Sequence, residues 1–169
     1  MSSKFFYGGL AIVVVSVFAV MIALKKPEPP RPGTEQADYG REHVNSKEYG
    51  GDQPPTSGSH ASPLTWGVYD TEVRDDQAIH NMEHGGVYVS YQPNLPKDQI
   101  KELTSLLSAP FSDSKFQPKK IVLAPRVKNK YPIELSSWRR SEALTSYDQQ
   151  KIEDYITRNL GKSPEPLAQ

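Results

Sequence analysis

Residues 86–91, Gly-Val-Tyr-Val-Ser-Tyr, are the stretch on which the reading of the fold turns. Four of the six are β-branched or aromatic, and alternation places Val87, Val89 and Tyr91 on one face, so the segment reads as a strand with an apolar side. Upstream, residues 64–69 (LTWGVY) have the same character and read as a second strand. Downstream, Ile100, Leu103, Leu106 and Leu107 recur at helical spacing, with Pro96 suited to a first turn and Pro110 beyond the end. Residues 120–124 (KIVLA) and 133–138 (IELSSW) are two further strands, bounded by Pro118, Pro125 and Pro132. A last helix opens at Ser146, where Gln149 completes a capping box; Ile152, Tyr155, Ile156 and Leu160 form its apolar face and Gly161 ends it. The order ββαββα over residues 54–160 predicts an α+β domain, a small mixed or antiparallel sheet with two helices on one face.

The chain has 169 residues and is 36% apolar, but that content is uneven. From Phe5 to Leu24 it reads FFYGGLAIVVVSVFAVMIAL, without a charge, between Lys4 and the pair Lys25-Lys26. At about 1.5 Å per residue such a run matches a hydrocarbon core of about 30 Å, and it is longer than the apolar part of a cleaved signal peptide. Ala23-Leu24-Lys25 is also a poor cleavage site. An uncleaved N-terminal transmembrane helix, with the lipid bilayer as its partner, is the expectation. Lysines on both sides leave the orientation open. Residues 25–53, with Pro27, Pro29, Pro30 and Pro32 ahead of a polar stretch, read as a tether, and residues 161–169 read as a flexible tail.

Twenty Lys and Arg balance twenty Asp and Glu, so no charge excess points to nucleic acid. The absence of cysteine excludes disulfide frameworks, iron–sulfur clusters and thiol nucleophiles. A bound metal must therefore use His, Met or carboxylate.

Of the four histidines, His60, His80 and His84 lie close together in the chain. In an extended His80-Asn81-Met82-Glu83-His84, alternate residues point one way, so two imidazoles and a thioether would converge, with His60 folding over from its Ser-Gly-rich loop. Such donors suit copper, the cuprous ion above all if Met82 ligates, while a site of His60, His80 and His84 alone suits copper or zinc. His43 falls in the tether and is left outside the site. The same residues also spell H-x-x-E-H, the inverted zinc-protease pattern, in which Glu83 is the general base and Glu153 a further acidic ligand. That pattern needs a helix, whereas Gly85-Gly86 and the strand after them end any helix quickly.

At these positions the chain resembles bacterial membrane-anchored domains of unknown function that carry P-P-x-S-G-x-H followed by H-N-x-E-H-G. The matching residues are Pro54, Pro55, Ser57, Gly58 and His60, then His80, Asn81, Glu83, His84 and Gly85. The resemblance implies an amino-terminal anchor in the cell membrane with the domain on the extracytoplasmic side, and an apolar packing position at Met82; it implies no activity. Three functions remain open: a non-catalytic metal-binding domain, a metal-dependent hydrolase using Glu83, and a metal-free module of the cell envelope.

Overall fold

The computed structural model describes residues 3–24, 29–108 and 120–168. The chain forms two units, Met1–Pro30 and Arg31–Gln169. The first contains helix α1, Ser3–Leu24. Several α1 side chains lie outside the described set, and among the described residues no helix is long and apolar enough to cross a membrane.

The second unit is an α+β domain. Its described elements are β1 (Thr34–Glu35), β2 (Gly67–Val68), α2 (Asp75–Glu83), β3 (Val87–Tyr91), α3 (Lys97–Ser108), β4 (Ile121–Pro125), β5 (Ile133–Ser137), β6 (Arg140–Leu144) and α4 (Gln149–Asn159). The strands form one mixed sheet in the order β1-β6-β5-β3-β4-β2. The expected GVYVSY strand is central: β3 runs parallel to β4, Val87 opposite Ile121, and antiparallel to β5, Val89 opposite Leu135. Parallel neighbours require a long crossover, and α3 lies within it.

Every residue of β3, β4 and β5 is buried, because helices cover both faces of the sheet. Val87, Val89, Leu123 and Leu135 pack with Leu103 and Leu107 of α3 and with Ile152, Tyr155 and Ile156 of α4. This is the two-helix face expected from the sequence. On the reverse face Tyr88, Val122 and Ala124 pack with Ala78, Ile79 and Met82 of α2 and with Trp138.

Helix α2 replaces the extended segment expected at residues 80–84. Gly85 and Gly86 do not prevent this helix; they terminate it. Gly86 N donates to Asn81 O at 2.9 Å and Gly85 N to Met82 O at 3.0 Å, with Gly85 at φ +87°, the paired bonds of a Schellman motif. The β5–β6 hairpin was also not expected. It turns through Trp138 and Arg139, and Arg139 takes φ +54° in the place where Gly or Asn would have signalled a turn. Helix α4 is capped not by Ser146 but by Asp148, whose carboxylate accepts from Lys151 N at 3.1 Å.

Residues on either side of the expected domain pack on it too. Thr34 and Glu35 pair with Ser141 and Arg140 at one sheet edge. After α4, Gly161 N donates to Gly85 O at 2.8 Å and Glu165 N to Glu83 O at 3.1 Å, so the C-terminal residues run along the end of α2.

Gly86 has a steric reason of its own: a Cβ there would overlap Trp66 Cζ3 and lie 2.9 Å from Asn81 O. Gly86→Ala is therefore expected to destabilise the domain by about 1–3 kcal/mol. Gly50→Ala, where a Cβ meets nothing within 4 Å, should stay within about 0.5 kcal/mol. Denaturant titration of the two variants checks the difference.

Candidate metal centre

Helical geometry divides α2 between two jobs. Ala78, Ile79 and Met82 face the sheet, while His80, Glu83 and His84, spaced three and four apart, share the other side. Met82 is 1% exposed and held among apolar side chains. The structure therefore parts it from the imidazoles with which an extended segment would have grouped it. Asn81 ties the preceding loop to the helix: its Oδ1 accepts from Leu64 N at 2.8 Å and its Nδ2 donates to Leu64 O at 2.9 Å.

His60 arrives on a loop built by its neighbours. Ser57 Oγ accepts from Tyr39 N at 2.9 Å, Gly58 N donates to Gly40 O at 2.8 Å, and Gly58 takes φ +123°. A Cβ on Gly58 would lie 2.6 Å from the Tyr49 hydroxyl oxygen. The loop is thereby zipped to the segment before it, where His60 N donates to Glu42 O at 2.8 Å and Val44 N to His60 O at 2.9 Å. This short parallel bridge sets His43 beside His60, with ring centroids 4.7 Å apart.

The result is a group of His43, His60, His80 and Glu83 in which one ligand atom from each lies within 4.8 Å of all the others. His60 and Glu83 are fully buried, His80 is nearly so, and the His43 side chain is 61% exposed. His60 Nε2 is 3.0 Å and His43 Nε2 3.6 Å from Glu83 Oε2. His84 lies at the margin, its Nε2 3.1 Å from His80 Nε2. It also forms a second group with Glu83 and Glu165. Glu153, the acidic ligand of the hydrolase reading, instead accepts from Gln149 on α4 at 2.9 Å.

Proton placement follows from the backbone. His60 Nδ1 is 2.8 Å from Gly58 O, and His80 Nδ1 is 2.7 Å from Ala61 O. A carbonyl oxygen can only accept, so both Nδ1 atoms carry hydrogen. In each neutral ring Nε2 is then a lone pair, and that of His60 points at a buried carboxylate oxygen. Two electron-rich atoms at 3.0 Å repel unless a proton or a metal ion lies between them. Carbonyl-anchored imidazoles with Nε2 presented are the arrangement that orients histidine ligands on a metal.

Residues 43–169 match the family described as a protein of unknown function, DUF3105. The chain belongs to the DUF3105 family. The matched region takes in His43, His60, His80 and Glu83. No curated protein and no solved structure matches the chain.

His43 of this DUF3105 chain is the member of the cluster that sequence reasoning left out, because composition assigned residues 25–53 to a tether. Glu83 is read from the sequence as the base of H-x-x-E-H and as a match to H-N-x-E-H-G, not as a ligand. The acidic residues before the motif have structural partners: Asp76 accepts from Lys47 N at 2.7 Å, and Asp75 pairs with the buried Arg126 at 2.9 Å.

Burial holds the His80 imidazole below the ordinary histidine range; the hydrogen bond to Ala61 works the other way, and the rings of His84, His60 and His43 add to the lowering. The unfolded chain then takes up a proton, below about pH 6.5, that the folded state resists. His80 thus contributes a loss of stability in the metal-free protein as pH falls through and below about 6.5. Denaturation of chelator-treated protein across this range should show a steeper decline in the wild type than in His80→Gln; parallel curves would contradict a neutral, buried His80.

Proposed function

We propose that this protein is a membrane-anchored, extracytoplasmic domain that binds a divalent transition metal, copper or zinc, through His43, His60, His80 and Glu83, and holds it without catalysing a reaction on it. The observation that carries the reading is the convergence of these groups within 4.8 Å, with the His60 and His80 rings fixed so that Nε2 faces inward. Three imidazoles and one carboxylate suit Zn(II) or Cu(II). With Met82 in the core, the thioether that would favour cuprous copper is lacking from the donor set.

Four protein donors make a closed coordination shell, the form associated with holding a metal and not with activating water. Glu83 is engaged with His60 at 3.0 Å and fully buried, a poor position for a general base that must reach a substrate-bound water. The anchor rests on the uncharged run from Phe5 to Leu24 in the sequence; the extracytoplasmic side rests on the resemblance set out above.

Metal titrations of the detergent-solubilised chain test the site. His60→Ala and His80→Ala should each weaken zinc and Cu(II) binding by more than about 100-fold, beyond the usual effect of an outer-shell change. Met82→Leu should leave both within about threefold, since it alters packing only. Unchanged affinity in both histidine variants, or wild-type binding no tighter than about millimolar, would remove the metal from the proposal.

Protease added to intact spheroplasts tests the topology. Removal of the domain is the expected result, and protection until lysis would place it on the cytoplasmic side.

A further inference from the structure

Resting on the metal-binding reading, we propose that Glu83 bridges two divalent ions: one held with His43, His60 and His80, and a second, more exposed ion held by Glu83, His84 and Glu165. Glu83, His84 and Glu165 each offer a ligand atom, and these atoms lie within 4.8 Å of one another. The group shares its one fully buried member with the first site. Glu83 Oε2 faces His60 and His43, whereas Oε1, also buried, has no hydrogen-bond partner among the described residues. A carboxylate oxygen without a donor is costly in a protein interior, and a cation on it removes that cost.

The position already attracts positive charge. Arg41 Nη1 lies 3.2 Å from Glu165 Oε1 but 4.0 Å from Glu83 Oε1, too far to hydrogen-bond to the latter. Its side chain is 55% exposed, so it is held weakly and can swing aside for a metal ion. Glu165 is fixed from below, since its own N–H donates to Glu83 O at 3.1 Å at the end of α2. That helix end carries partial negative charge, which also favours a cation. One imidazole and two carboxylates make a harder donor set than the first group, suited to Zn(II) over softer ions. Metal pairs with such shared ligands lie about 3.5–4 Å apart.

Zinc titration of the full, detergent-solubilised chain, with bound metal counted by elemental analysis, should give two ions per chain, the second weaker. Glu165→Gln and His84→Ala should each abolish the weaker ion and keep the tighter one. Arg41→Ala should strengthen the second ion by about two- to fivefold, the worth of an exposed ion pair. With two equivalents of Cu(II), magnetic coupling through the carboxylate should reduce the integrated paramagnetic signal below two spins, and Glu165→Gln should restore one full, uncoupled spin. Saturation of the wild type at one ion overturns the bridge and leaves the first site standing. Two ions that both survive Glu165→Gln and His84→Ala, or loss of the tighter ion in either variant, also overturns it. A chain that binds no ion overturns both readings.

Discussion

A carboxylate shut away from water governs this structure. Glu83, the last residue of α2, is fully buried at a helix end that presents partial negative charge, so its carboxylate oxygens call for donors or cations around them. The groups around it come from distant parts of the chain: His60 at 3.0 Å, His43 at 3.6 Å and, on the other oxygen, Arg41 at 4.0 Å. None of these residues is near Glu83 in sequence, and each is brought there by backbone pairing. The His43–His60 bridge, the Gly58–Gly40 bond and the Glu165–Glu83 bond all bring side chains around one buried carboxylate.

The sheet makes this burial possible. Because α3 and α4 cover one face and α2 the other, α2 is anchored by Ala78, Ile79 and Met82 while its opposite side remains available for polar groups. Full burial of a side chain such as Ile79 is worth about 1.5–3 kcal/mol, and with Ala78 and Met82 it holds α2 on the sheet. The glycine pair that ends α2 then lets the chain turn directly into the central strand. Helix end, site and sheet centre are thus joined through Gly85 and Gly86.

Much of the core was legible in the sequence because it follows simple periods. The alternation in residues 86–91 and the spacing of Ile100, Leu103 and Leu107 each mark an element by its own local period, and both elements are present. Elements defined by two partners were harder to read. Helix α2 is nine residues long, with apolar positions interleaved among His80, Asn81 and Glu83, so local polarity and the following glycines obscured it. Strand β6 carries Arg140, Ser141 and Glu142, and its place in the sheet depends on a turn through Arg139 without a turn residue. In the site, the spacing of His60, His80 and His84 drew attention to the right region. His43 was missed because its position depends on long-range backbone pairing with residue 60, which composition does not encode.

The closure of the site by residues from both ends of the domain has a consequence for biogenesis. Arg41 and Glu165 are separated by 124 positions, yet they meet over the same carboxylate. A chain emerging amino terminus first carries His43 and His60 long before the residues that complete the surroundings of Glu83. The sheet is equally late, since β3 lies between strands that follow it in sequence. Contacts of such long sequence separation form slowly and only once nearly all the domain is available. The closure over Glu83 by Arg41 and Glu165 is therefore a property of the finished chain.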